Sequence, residues 1–248
     1  MDVSLYSAAA AMNATERWQD MVAQNLSRAS IPGARQQVIS FSAVQAGLAA
    51  ATPGAAGKNF VIPFAGTGTN FSQGELKTTG GNLDVALEGP GFFTVQLPDG
   101  SNGYTRDGEF QLNAQGQLTT KQGYPVVGDG GSLTFDPNNS ATINISPEGE
   151  VSQGPDSKGK LAITEFANQQ ALTMGSGGFF RADSPLAQPQ TSTTTSVRQG
   201  FVEASNTSPM MAMGSLITSM RMFETNQKVM TMQSDRMTKS IADLSGTT

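Results

Sequence analysis

Neither cysteine nor histidine occurs in the 248 residues. Their absence removes disulfides, thiolate nucleophiles, Ser-His-Asp triads, histidine bases and His-containing zinc sites together. An enzyme of this composition would rest on carboxylates or lysine alone. Zero cysteine also suits a chain that crosses an oxidising space with no disulfide to form. Charge is sparse: 14% of residues are Asp, Glu, Lys or Arg, with 15 basic side chains against 20 acidic ones. No basic nucleic-acid footprint is present. No run approaches the roughly 18 apolar residues of a membrane-spanning helix. The start, Met1-Asp2-Val3, has neither a basic leader nor a long apolar core, which argues against a cleaved secretory signal.

What is present is glycine, 28 residues of it, among polar residues and a 37% hydrophobic fraction spread along the chain. That mixture reads as turn-rich and β-rich, not as disorder. Residues 1–35 and 205–248 carry net charges of 0 and +1, which leaves −6 of the total −5 in the middle. Near-neutral ends can pack densely against copies of themselves while an acidic body stays soluble.

At alternating three- and four-residue steps the C-terminal stretch presents Met213, Leu216, Met220, Phe223, Gln227, Met230, Ser234, Met237, Ile241 and Leu244. This heptad pattern predicts a helix about 50 Å long that packs lengthwise against another. The same stepping from the N-terminus gives Leu5, Ala8, Met12, Thr15, Gln19, Val22 and Leu26, before Ser30-Ile31-Pro32-Gly33 stops the helix. Two terminal helices of complementary bulk would let the chain begin and end in one place. Met210, Met211, Ile217, Met222, Val229 and Met232 lie off the seam and leave apolar surface for neighbours. Unbranched methionine tolerates non-identical packing environments.

Between the helices, residues 36–48 read as helix or extended chain, and Ala49 to Gly57 as a linker. Phe60 to Phe64 reads as a strand. Gly66-Thr67-Gly68-Thr69-Asn70-Phe71 lacks the lysine and following helix of a phosphate loop and is expected to be a turn. From Leu83 to Phe166, short apolar or alternating runs are separated by turn signals such as Pro98-Asp99-Gly100, Asp107-Gly108 and Asp129-Gly130-Gly131. That spacing predicts an antiparallel β-domain. Asp84, Asp99, Asp107 and Glu109 fall near its turns; paired acids can hydrolyse glycosides, but Asp-Gly is turn chemistry first. The Thr191–Ser196 run is a return strand or a flexible connector. Ser205, Asn206 or Ser208 can cap the last helix, with Pro209 in its first turn.

Several blocks resemble a known family. Asn25-Leu26 followed by Pro32-Gly33 and a basic Arg35 is similar to the N-terminal signature of bacterial flagellar axial proteins, with Gln24 and Ala34 departing from it. Asn82-Leu83-Asp84-Val85-Ala86-Leu87, Gly91-Phe92-Phe93, Tyr104-Thr105-Arg106-Asp107-Gly108 and Gly123-Tyr124-Pro125-Val126 resemble the core of flagellar rod and hook proteins. Gln199-Gly200-Phe201-Val202-Glu203-Ala204-Ser205-Asn206 and Arg221-x-Phe223-Glu224-x-Asn226-x-Lys228 resemble the lead into its last helix and that helix itself. The run Pro125 to Gly131 looks more like proximal than distal rod members.

The resemblance implies an α+β fold with long N- and C-terminal helices forming a coiled-coil-like pair around a central antiparallel β-rich domain. The expected divisions are an N-terminal tube helix 1–35, a partly extended connector 36–80, a β-domain 81–182, a return connector 183–204 and a C-terminal tube helix 205–248. The implied function is a structural rod subunit, with no catalysis, cofactor, metal or small-molecule substrate. Its partners would be copies of itself, other rod subunits and the flagellar type III export apparatus, in the periplasmic part of the basal body. Leu5, Met12, Val22, Leu26, Met213, Leu216, Met220, Phe223, Met230, Met237, Ile241 and Leu244 would carry helix packing. The remaining motif positions are Asn25, Gly33, Asn82, Leu83, Asp84, Gly91, Phe92, Phe93, Tyr104, Thr105, Arg106, Gly108, Ser205, Asn206, Glu224 and Asn226. A distal rod or hook subunit is the alternative within the family. Outside it stand a periplasmic carbohydrate-active enzyme and a stalked β-rich binding module.

Overall fold

The computed structural model describes the backbone of residues 3–47, 59–137, 139 and 141–246; the side chains of 3–7, 41–47, 59–65, 176, 244 and 245 lie outside the described set. Helix α1 spans Val3–Arg28 and helix α2 spans Pro209–Ser245, with β structure between them. The fold is therefore α+β, as the two periodicities of the sequence require. No helix among the described residues is long and apolar enough to cross a membrane. Pro209 sits in the first turn of α2 behind Ser208, where its missing N–H costs no helical bond.

Residues ambiguous in the sequence form β1, Gln36–Gly47, which pairs with β2, Asn59–Asn70. β2 runs on through Gly66-Thr67-Gly68-Thr69-Asn70, so the segment expected to turn is strand instead. Its threonines favour extended backbone wherever a partner strand is present, and that local gain outweighs the glycines. The linker expected over Ala49 to Gly57 lies outside the described residues.

The chain divides into two compact units. The first gathers residues up to 27, 37–69 and those from 208 onward; the second gathers 28–36 and 70–207. Within the first, Met21, Val22 and Ala212 form a small apolar cluster with Trp18, Leu26, Ile39 and Leu216, so both helices and β1 share one core.

The second unit contains β3 (Leu76–Thr78), β4 (Val85–Glu88), β5 (Phe92–Gln96) and β6 (Asn102–Thr105). Its largest sheet has six strands, in the order Thr173–Met174, Phe180–Arg181, β6, β5, Ile163–Phe166 and Pro189–Thr191. Side chains alternate across β5, so Phe92 and Phe93 enter different cores. Phe92 packs with Tyr104, Phe166 and Phe180, and Phe93 joins Val85, Leu87, Leu118, Val126 and Leu161. Edge-on rings tighten the first cluster, with Tyr104 and Phe166 centroids 4.8 Å apart. Strand Ser196–Gln199 returns antiparallel to β4, and Phe201–Glu203 antiparallel to β3, so the body closes beside its own beginning.

The threonine-rich run is not a loose tether. Glu165 Oε1 accepts hydrogen bonds from Ser192 Oγ at 2.6 Å, Thr195 Oγ1 at 2.7 Å and Thr194 Oγ1 at 2.9 Å. Burial alone would raise the carboxyl pKa, but the donors from Ser192, Thr195 and Thr194 outweigh it and hold the group at about 2.

Candidate assembly site

In the helical unit the inward row of α2 is Ala212, Leu216, Ser219, Phe223, Asn226, Met230 and Gln233, all buried or half-buried. It steps by four and three residues like the expected heptad, but four of its seven positions lie one residue earlier. Leu216, Phe223 and Met230 are half-buried in this row. Met213, Met220, Gln227 and Ser234 give way to Ala212, Ser219, Asn226 and Gln233. Met213, Met220, Met237 and Ile241 are exposed, from 40% for Met237 to 64% for Ile241. The physical reason is size and hydrogen bonding. Ala212 and fully buried Ser219 let the backbone approach the bulky Trp18 and Met21 side of the core, where methionines would hold it off. Asn226 Nδ2 donates to Thr15 Oγ1 at 3.1 Å, which joins the two helices through a polar contact.

On α1 the buried residues are Ala8, Ala14, Thr15, Met21, Val22 and Asn25, while Met12 and Leu26 are half-buried. The side chains of Leu5 and Leu244 lie outside the described set. Asn25 holds the strand that follows: its Nδ2 donates to Gln37 O at 2.7 Å, and Gln37 N donates back to Oδ1 at 2.8 Å. The outer surface of α2 carries apolar side chains among its charged ones. Met210, Met213, Ile217 and Met220 make one exposed stripe; Met211, Met222, Val229 and Met232 make another.

In the β unit the motif positions converge on a buried ion-pair knot. Arg35, Arg106 and Glu203 are each at most 2% exposed. Arg35 Nη1 donates to Glu203 Oε1 at 2.6 Å, and Arg106 Nη1 donates to Oε2 at 3.1 Å. Gly74 N adds a bond to Oε1 at 2.7 Å, and Arg106 Nη2 donates to Gly89 O at 2.5 Å. Arg106 also lies 4.9 Å over the Phe92 ring. Two cations share one carboxylate, and desolvation lowers the Arg106 pKa to about 10 against the pull of Glu203. Removing the carboxylate would therefore leave two buried charges uncompensated.

Gly33 seats against this knot. It adopts φ 68°, its N–H donates to Glu203 O at 2.7 Å, and a Cβ there would strike the Arg106 carbonyl carbon and Asp107 nitrogen. Asn206 fastens the same corner: Gln36 N donates to its Oδ1 at 2.7 Å, and its Nδ2 donates to Asn70 O at 2.8 Å and Ser72 O at 2.9 Å. Gly91 N donates to Thr195 Oγ1, Thr105 Oγ1 accepts from Asp107 N, and Ser205 Oγ accepts from Thr207 N. A side chain at Gly108 would meet the Val85 carbonyl. Leu83 packs against the larger core, and Asn82 O accepts from Gln199. Glu224 is exposed on α2.

The acids weighed for hydrolysis are held in local turn and side-chain contacts. Asp84 Oδ2 accepts from Thr79 Oγ1 at 2.5 Å, Asp99 Oδ1 from Ser101 N and Oγ, and Asp107 Oδ1 from Glu109 N at 3.0 Å; Glu109 pairs with Lys121. Burial raises Asp107 to about 6. A polar cleft of about 320 Å³ is lined by Asp129, Glu148, Lys160 and the Thr191–Ser196 run, not by Asp84, Asp107 or Glu109. Arg35 and Glu203 lie in the resembling blocks, but the sequence did not single them out as site residues. The available signal was a charge set among small and apolar neighbours, as in Phe201-Val202-Glu203-Ala204, within a chain that uses few charges.

Residues 86–153 match the model of the flagellar hook protein FlgE/F/G D1 domain, and 198–244 match that of the flagellar basal body rod FlgEFG protein C-terminal region. The flagellar basal-body rod protein FlgF of Caulobacter vibrioides is 33% identical over 231 residues, covering 93% of both chains. The chain belongs to the flagellar basal-body rod family. FlgF of Salmonella typhimurium is 32% identical over 245 residues, covering 93% of this chain and 94% of its own. FlgG of Buchnera aphidicola subsp. Schizaphis graminum is 37% identical over 185 residues, 70% of this chain and 69% of its own. As a family member the chain is a structural rod subunit of the flagellar basal body, where it assembles with other flagellar subunits.

Proposed function

We propose that this subunit occupies the proximal rod and polymerises through its terminal helices. The observation that carries the reading is the pair of apolar stripes on the outer surface of α2, headed by Met210 and Met211. A monomer gains nothing from that surface, whereas neighbours can bury it. In this reading the helices 1–35 and 205–248 form a coiled-coil-like pair and pack with neighbouring copies into an inner tube. The β-domain 81–182 is joined to the helices through 36–80 and 183–204. An open, heterologous interface of this kind generates a helical array. The Caulobacter and Salmonella FlgF chains, 33% and 32% identical over 93% of this chain, support the proximal position. The subunit reaches the periplasmic rod through the flagellar type III export apparatus, and its role is mechanical instead of catalytic.

Mass spectrometry of purified hook–basal bodies, with the rod separated from the hook, tests this. The chain is expected in the rod fraction, at the end nearer the membrane. Its presence only as soluble periplasmic protein would overturn the reading.

A further inference from the structure

We propose that the exposed methionines of α2 form a peroxide-sensitive modification site, so that oxidation of the free subunit blocks its incorporation while the assembled subunit is protected. The inference rests on the docking role just assigned to that surface. Met210, Met211, Met213, Met220, Met222 and Met232 are each more than half exposed, on one helix. Met21, in the core shared by the two helices, is 7% exposed. The same molecule thus holds six thioethers more than half exposed and a shielded one as an internal reference.

The chemistry is a two-electron oxygen transfer. The thioether sulfur attacks one oxygen of hydrogen peroxide and the O–O bond breaks. The sulfur is oxidised to the sulfoxide, and the other oxygen leaves as water after a proton shift. The product replaces a flexible apolar group with a polar, chiral one. On the stripe Met210, Met213, Ile217 and Met220, sulfoxides would put strong acceptors where neighbouring side chains must exclude water. Burying such an acceptor without a donor is unfavourable. Once the stripe is covered, peroxide cannot reach the sulfurs.

The test uses the full chain in flagellated cells lacking their own copy, and a variant carrying M210L, M211L, M213L, M220L, M222L and M232L. Leucine keeps apolar bulk and cannot be oxidised. A peroxide pulse during rod construction is expected to cut new basal bodies with the native chain about tenfold relative to the leucine variant. Periplasmic methionine sulfoxide reductase should restore the count for the native chain. Peptide mapping of the treated, purified subunit should show sulfoxide at the six positions well before Met21. Equal losses in both strains, no recovery with the reductase, or equal oxidation of Met21 would each overturn the proposal. A separate arm isolates the underlying reading: normal basal bodies from both the leucine variant and I217D would mean that α2 does not dock through this surface at all.

Discussion

Glu203→Gln is the perturbation that most directly reports the energetics of the body. Glutamine keeps an oxygen for the Gly74 N–H, now 2.7 Å from Oε1, but removes the carboxylate shared by Arg35 and Arg106 in the knot. Both guanidiniums are buried, so neither recovers its hydration in the folded state. Breaking a buried ion pair by removing one partner costs about 3–5 kcal/mol, a large part of the roughly 5–15 kcal/mol that stabilises a typical domain. Arg106→Met should cost clearly less, because Arg35 and Glu203 remain paired one to one. Urea unfolding followed by near-ultraviolet circular dichroism of Tyr104 and Tyr124 reads the body, while Trp18 fluorescence reads the helical unit. The expected result is a large loss in the tyrosine transition for Glu203→Gln. A loss under about 1 kcal/mol, or an Arg106→Met effect equal to it, would refute the shared-counterion account.

Asp107 is raised from 3.8 to about 6 by burial, so the folded state binds a proton that the unfolded chain has released between those values. Stability should therefore fall as pH rises from about 4 to 6, by up to about 3 kcal/mol, and Asp107→Asn should flatten that slope in pH-dependent urea melts. Glu165 behaves oppositely: its carboxyl is held at about 2, so its stabilisation is present above the unfolded value of 4.5 and is lost as pH falls through 2. Glu165→Gln should release residues Ser192 to Thr195, seen as faster amide exchange there at neutral pH with the six-stranded sheet unchanged. Gly33→Ala should destabilise the body by about 2 kcal/mol or more, through its positive φ and the clash with Arg106 and Asp107 backbone; an unchanged melt would contradict the tight seat.

The helices and the antiparallel body were legible because period is a local property of sequence. The Pro32-Gly33 stop and the Pro98-Asp99-Gly100 and Asp107-Gly108 turns are equally local. The seam register was not legible. Met213 and Met220 are the better apolar residues, and hydropathy ranks them above Ala212 and Ser219. The choice of the smaller pair depends on Trp18 and on the Thr15–Asn226 hydrogen bond, which lies across 211 residues of chain. The knot was hidden for the same reason: Arg35 and Glu203 are 168 positions apart, and neither carries a local sign of its partner. Gly66 to Asn70 misread as a turn because glycine spacing speaks louder than the alternating threonines until β1 supplies a partner.

The measurement closest to the central claim compares Ile217→Asp with Ser219→Ala in purified basal bodies. Ile217 lies on the exposed stripe, 55% accessible, and Ser219 two residues on is fully buried within the subunit. The account predicts that Ile217→Asp leaves the folded subunit intact by circular dichroism and yields no rods containing it, while Ser219→Ala assembles normally. Rods built at normal number from the Ile217→Asp chain would contradict polymerisation through the outer surface of α2.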